Sequence, residues 1–277
     1  MAAKSVLFIG TSSDCGKTTS DALFCRWLVR KSVKVAPFKA SNLSLNSCVT
    51  EDGKEIGMGQ AFQAWACGIE PSADMNPLLL KPAGNGRMQI MLKGEPYRDV
   101  SWSDDLHKEL MPKACESYDR LMSEYEAVVC EGSGSPAEIN LMSRDIANTG
   151  MMRARRIPSV LVGDIDRGGV FAAIYGTWLL MPEELKPLMK GFLINRFRGD
   201  GSLLGPGIDK IEELTGMKFL GTVPYAPLRF PEEDSLSKAK GTIGRGDVHQ
   251  EFLRNLDSLL DEAIEAGVDF EGIWHSI

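Results

Sequence analysis

The stretch Gly10-Thr-Ser-Ser-Asp-Cys-Gly-Lys-Thr18 constrains the fold more than any other part of the chain. It follows an apolar run, Ser5 to Ile9, and precedes a helical pattern beginning near Thr19, so the context reads strand, phosphate loop, helix. Backbone N–H groups of such a loop and the N-terminus of the helix behind it form an anion site, to which Lys17 adds a point charge. A tight glycine turn accounts for the glycines but not for Lys17 and Thr18, so the ligand implied is a nucleoside triphosphate. The usual pattern leaves about four residues between its glycines. Gly10 and Gly16 enclose one more.

A chain of 277 residues with 43% hydrophobic and 25% charged residues can bury one large α/β core with a small appendage. A net charge of -7 argues against general nucleic-acid or anionic-membrane binding, which depends on clustered positive charge. Cys15, Cys25, Cys48, Cys67, Cys115 and Cys130 are scattered without a C-x-x-C pair, so neither a zinc site nor a disulfide framework is expected. They read as packing residues in a reducing compartment. No apolar run reaches membrane-spanning length and no signal segment is evident, so a cytoplasmic location is expected.

Apolar, β-branched runs recur at Ser5 to Ile9, Val33 to Pro37, Ala127 to Cys130, Ser159 to Val162, Gly191 to Ile194 and Phe219 to Val223. Helical patterns lie at Thr18 to Lys31, Gly57 to Cys67, Leu106 to Glu124, Ile146 to Arg155, Val170 to Leu180 and Ile208 to Thr215. This alternation predicts a doubly wound, mostly parallel α/β sheet with helices on both faces. Ligands of such sheets collect at the carboxyl ends of the strands. That rule gathers Gly10 to Thr18, Lys39, Glu131, Asp164 to Arg167, Asn195 and Pro224 on one rim. Residues 1–236 read as this domain, and 237–277 as a linker followed by an amphipathic helix over Val248 to Ala266. The helix is expected to pack on the sheet domain or on a second subunit.

Glu131, at the end of a buried strand and before glycines, suits a Mg²⁺ ligand, with the Thr18 hydroxyl completing the shell. It equally suits a turn cap. Lys39 would neutralise charge on a transferring phosphoryl group, or lie solvated on the surface. Asp145 and Arg144 pair, cap the helix near Ile146, or face the substrate, and the cap leads on sequence alone. Asn195-Arg196 offers an amide and a planar cation to a base. Ser133 and Ser135 read as loop residues for phosphate or substrate. His107, His249 and His275 fall outside every strand-end cluster, so no histidine metal site is expected.

Several phrases together carry a resemblance: Ala36-Pro-Phe-Lys-Ala40, Asn42-Leu-Ser-Leu-Asn-Ser47, Asp74-Met-Asn-Pro-Leu-Leu-Leu-Lys-Pro82, Glu131-Gly-Ser-Gly-Ser-Pro-Ala-Glu-Ile-Asn-Leu141, Arg144-Asp-Ile-Ala-Asn148, Asp164-Ile-Asp-Arg-Gly-Gly-Val-Phe171, Asn195-Arg-Phe-Arg-Gly-Asp200 and Val223-Pro-Tyr225. From Lys4 to Leu236 the chain resembles the synthetase half of the cobyric acid synthases, within the dethiobiotin synthetase-like P-loop ATPases. The longer phosphate loop is also a mark of that group. The resemblance implies an ATP- and Mg²⁺-dependent ligase that amidates peripheral carboxylates of a corrinoid through an acyl phosphate. By matched position Lys17, Lys39, Glu131 and Asp145 are catalytic. Gly10, Thr11, Ser12, Asp14, Cys15, Gly16, Lys17, Thr18 and Thr19 hold phosphates, and Asn195, Arg196 and Pro224 the adenine. Thr18, Glu131 and Asp52 hold the metal. Asn42, Asn46, Gln60, Ser135 and Asn140 surround the corrinoid.

The family usually continues into a glutaminase domain, whereas residues 237–277 contain no cysteine. Ammonia is therefore expected from solution or a separate glutaminase subunit, and a homodimer is compatible with the pattern. Ser41, and Gly57-Met-Gly-Gln60, also depart from the usual phrases. Three alternatives stay open: a ligase of dethiobiotin synthetase or amidoligase type on another carboxylate, a ParA/MinD-like ATPase switch, and a regulatory or carrier protein that keeps the corrinoid pocket without turnover.

Overall fold

The computed structural model describes residues 3–101, 103–226 and 248–277. In chain order, β1 (Lys4–Gly10) leads into α1 (Lys17–Arg30) and β2 (Val35–Phe38). An excursion follows: β3 (Ser41–Leu43), β4 (Ser47–Val49), β5 (Glu55–Gly57), α2 (Met58–Ala66), β6 (Leu78–Gly84), β7 (Arg87–Leu92) and β8 (Glu95–Ser101). The chain returns through α3 (His107–Glu124), β9 (Ala127–Glu131), α4 (Thr149–Arg155), β10 (Ser159–Asp164) and α5 (Val170–Leu180). It closes with β11 (Met189–Phe197), α6 (Gly205–Thr215), β12 (Lys218–Pro224), α7 (Val248–Glu265) and α8 (Phe270–His275).

The six strands expected from apolar runs form one parallel sheet, ordered β12-β11-β10-β1-β9-β2. Side chains alternate across a strand, and the core divides accordingly. Leu7, Ile9, Leu161 and Phe192 enter a layer with Leu110, Met151, Ile174 and Ile211 of α3 to α6. Val6, Phe8, Val160 and Leu193 enter the opposite layer, with Leu23 and Phe24 of α1 and Phe252 and Leu256 of α7. Because the strands are parallel and buried on both faces, their sequences read as continuous apolar runs.

The excursion contains strands that the apolar pattern does not announce. β3, β6, β7 and β8 form a four-stranded sheet, and β4 and β5 a hairpin. β3, β4 and β5 have three residues each, and β8 buries only Val100. The turn from β6 to β7 places Asn85 at φ 48° and Gly86 at φ 71°, the left-handed pair that closes a two-residue hairpin.

α7 lies on α1, α2 and β12. It holds them through buried Phe252, Leu256, Leu259 and Leu260, and through Arg26 and Arg30, which pair with Asp257 at 2.8 and 2.9 Å. The linker read near 235–245 lies outside the described residues.

Candidate active site

The phosphate loop is pinned at both ends. Thr11 N donates to Val162 O at 3.0 Å, and Ser20 N to Gly16 O at 3.0 Å, which starts α1. Gly16 sits at φ 104°, and a Cβ there would lie 1.8 Å from Asn195 Nδ2. That amide donates to Cys15 O at 2.9 Å, so the end of β11 braces the loop. Lys17 is 5% exposed and donates to Ser12 O at 2.9 Å. Among the described residues no carboxylate lies within ion-pair distance of it. A buried cation bonded to a carbonyl alone suits an incoming polyphosphate.

Glu131 ends β9 beside β1, in register with Phe8, and its carboxylate gathers four donors from α1, the end of β2 and α2. Oε1 accepts from Thr18 Oγ1 at 2.8 Å and from Lys39 Nζ at 3.1 Å. Oε2 accepts from Gln63 Nε2 at 2.6 Å and Gln60 Nε2 at 3.4 Å. A buried carboxylate survives only when paired and hydrogen-bonded, and these contacts meet that need. The network extends through Gln60 Oε1, which accepts from Asn42 Nδ2 at 3.2 Å. Gly57 makes room for it, since a Cβ there would fall 2.5 Å from Asn42 Nδ2 and 2.7 Å from Gln60 Oε1. Asn76 ties the β2 end into place, donating to Lys39 O at 3.0 Å and accepting from Gly57 N at 2.9 Å.

The sequence-stated residues thus separate into groups. Thr18, Lys39 and Glu131 meet at one oxygen. Asn42 and Gln60, expected around the substrate, lie in the interior as supports of Glu131, 1% and 0% exposed. Gln63 and Asn76 belong to the same network and were not anticipated; a glutamine pair at helical spacing, Gln60 and Gln63, was the available signal. Asp52 stands apart in the β4–β5 hairpin turn, accepting from Thr50 Oγ1 and paired with Lys54 at 3.5 Å.

A cavity of about 500 Å³ opens beside the loop, lined by Ser13 and Asp14 on one side and Asn46, Ser135 and Asp145 on others. Leu43, Leu45 and Leu141 line it while remaining 37%, 58% and 48% exposed, giving its mouth an apolar rim. His107, which the strand-end rule passed over, lines it from the start of α3. Asn140 is exposed and does not line the cavity.

Asp145 is fully employed. Oδ1 accepts from Asn148 N and Nδ2 at 3.0 and 3.3 Å, and Oδ2 from Thr149 N and Oγ1 at 2.6 and 2.8 Å. Its carboxylate therefore caps the first turn of α4 and fixes the cavity wall. Burial pushes its pKa above the ordinary aspartate range, opposed by those same bonds.

With this geometry in view, the chain was compared with known proteins. Residues 6–235 match the sequence model described as CobQ/CobB/MinD/ParA nucleotide binding domain. The chain belongs to this nucleotide-binding family. Among curated family relatives, a probable cobyric acid synthase of Methanoculleus marisnigri is 52% identical over 237 residues, covering 85% of this chain and 48% of the relative. The cobyric acid synthase of Streptomyces coelicolor is 50% identical over 243 residues, covering 86% and 48%. The chain spans about half the length of these relatives. Among solved structures, the septum site-determining protein MinD of Pyrococcus horikoshii, complexed with Mg-ADP, covers 98% of this chain and 94% of its own at 14% identity and a TM-score of 0.49.

At the carboxyl ends of the parallel strands, Asn195 is 5% exposed and aligned with Asp164 in register, and Pro224 ends β12 opposite Phe197. Arg196 takes φ 59° and donates to Asp164 Oδ2 at 2.7 Å. Among the described residues no cluster of three or more His, Cys, Asp or Glu side chains could hold a metal by itself. The hydroxyl and carboxylate of Thr18 and Glu131, 2.8 Å apart, are the hard oxygen donors that Mg²⁺ shares with phosphates, and they fit it. No described helix is long and apolar enough to cross a membrane.

Proposed function

We propose that this chain amidates peripheral carboxylates of a corrinoid, consuming ATP with Mg²⁺ and drawing ammonia from solution or a separate glutaminase. The observation that carries the reading is the cavity itself: it shares Ser13 and Asp14 with the phosphate loop, and its mouth is rimmed by exposed leucines. Such a rim suits a broad ligand with apolar faces and a carboxylate edge, and the shared wall puts that edge beside the phosphate site.

In this reading the loop amides, Lys17 and Lys39 bind and orient the triphosphate, and Asn195, Arg196 and Pro224 border the adenine. Thr18 and Glu131 would hold Mg²⁺, which when bound supplies charge neutralisation to the phosphate oxygens. A substrate carboxylate oxygen attacks the γ-phosphorus, the bond to the bridging oxygen breaks, and ADP leaves. Ammonia then attacks the acyl carbon, the carbon–oxygen bond to phosphate breaks, phosphate departs with the electron pair, and nitrogen loses a proton. Lys17 offsets charge as it develops on the leaving oxygens, a contribution worth most where water is excluded. Asp145 acts by positioning, since both its oxygens hold the Asn148–Thr149 turn.

The test is incubation of the protein with ATP, Mg²⁺, ammonium and cobyrinic acid diamide, read by mass spectrometry. Products in which hydroxyl is exchanged for amino are expected, with ammonium required and bicarbonate without effect. ATP hydrolysis stimulated by a protein partner, with unchanged corrinoid, would instead favour the ATPase switch.

A further inference from the structure

The cavity beside the phosphate loop is lined by four carboxylates, Asp14, Asp104, Glu138 and Asp145. Such a wall repels a carboxylate-bearing ligand unless a cation answers it. Among the described residues that line the cavity, Arg144 is the single permanent cation. It is exposed and shares the cavity with those four carboxylates, yet no described carboxylate is within ion-pair distance of it. Elsewhere on the surface Arg26, Arg98, Arg153 and Arg155 each hold a carboxylate at 2.6 to 3.0 Å. The acidic neighbours are otherwise employed: Asp145 by Asn148 and Thr149, and Glu138 Oε1 by Ser135 N at 3.2 Å.

Arg144 is also mounted rigidly. It closes the 3-10 turn Met142–Arg144, its N–H donating to Leu141 O at 2.8 Å, and the next residue is locked by the Asp145 bonds to α4. An arginine fixed at its backbone presents a planar fork matched to a carboxylate. The two lysines beside the cavity are placed elsewhere. Lys39 is buried against Glu131, and Lys17 is turned to the phosphate loop.

From this placement we infer that Arg144 anchors a non-reacting carboxylate of the substrate, holding it in the cavity while a different carboxylate faces the phosphate loop. The ligand class is therefore a polycarboxylate, and an ester of the same skeleton lacks the recognised group. The inference rests on the corrinoid reading and specifies which group of that substrate the protein reads.

The experiment is direct binding, without turnover, of cobyrinic acid diamide and of its fully esterified counterpart to wild type, Arg144→Ala and Arg144→Lys, each checked for unchanged thermal unfolding. Arg144→Ala is expected to weaken binding of the acid about tenfold or more, the scale of one charge-assisted pair. Arg144→Lys falls between, because a point charge replaces the fork. Binding of the ester and of ATP is unchanged across the series. Equal binding of the acid by wild type and Arg144→Ala overturns the anchor and leaves the corrinoid reading standing. Failure of wild type to bind either corrinoid overturns that reading and the anchor with it.

Discussion

Lys39 Nζ lies 3.1 Å from Glu131 Oε1, in an ion pair whose side chains are 3% and 1% exposed, where the strand ends β2 and β9 meet the phosphate loop. Removing one partner of such a pair strands a charge in the interior, which costs about 3–5 kcal/mol, whereas replacing both by neutral groups costs far less. Lys39→Met is therefore expected to lower the unfolding free energy by that amount. Lys39→Met combined with Glu131→Gln recovers part of the loss, with a coupling on the order of 1–3 kcal/mol in urea unfolding. Strictly additive losses would mean that the pair contributes nothing as a pair.

Asn195 Nδ2 donates to the Cys15 carbonyl, so this side chain braces the phosphate loop directly. Asn195→Ala leaves that buried carbonyl without its donor, at a cost of about 1–3 kcal/mol, and loosens the loop. Binding of inorganic tripolyphosphate, measured by calorimetry, is expected to weaken along with that of ATP. If only ATP binding suffers, the side chain reads the base and does not brace the loop.

The six parallel strands were legible because burial on both faces makes them continuous apolar runs, and the strand-end rule then collected Thr18, Lys39 and Glu131. The helix of the excursion was legible at Gly57 to Cys67 but its strands were not, although the Asn85-Gly86 hairpin signal was present. β3, β4 and β5 are too short to carry a pattern, β3 takes its partner from far along the chain, with Ser41 beside Leu78, and β8 is exposed except at Val100. Gln60 was found, and it lies buried against Glu131; nothing local in the sequence says whether a polar helix residue faces a ligand or a buried carboxylate. Asp145 had its cap legible in sequence, and the four bonds give that role its geometry.

α7 is attached to α1 by ion pairs and to α2 by ring contacts, and the two kinds of contact differ in size. The Arg26 and Arg30 pairs with Asp257 are partly exposed, so such pairs contribute only about 0.2–1 kcal/mol and weaken with salt. Phe252 is 4% exposed, with ring centroids 5.1 Å from Phe62 and 6.4 Å from Trp65. Its truncation removes a buried ring, at about 3–5 kcal/mol. Phe252→Ala should therefore release α7 to limited proteolysis, while Asp257→Asn leaves it protected at high salt. The reverse order would make the ion pairs the anchor.

Asp21 lies on α1 one turn beyond Thr18, fully buried, with Oδ1 accepting from the Cys25 thiol at 3.5 Å and Oδ2 without a partner. Desolvation, reinforced by the nearby Glu131 carboxylate and opposed by Lys39, raises its pKa well above the ordinary value of 3.8. Below that ordinary value both folded and unfolded chains carry the proton, and the group is neutral to stability. As pH rises past it the unfolded chain releases its proton first, so this group subtracts stability until the folded pKa is reached. Asp21→Asn removes the penalty while keeping the shape. The unfolding free energy of the variant minus that of wild type should therefore climb from about pH 4 upward, by at most about 1.4 kcal/mol per pH unit. Titrating groups that are not coupled to Asp21, Asp145 among them, cancel in the difference because both proteins contain them. A difference that stays flat from acid to neutral pH in urea titrations would show that Asp21 ionises in the fold as it does in the unfolded chain.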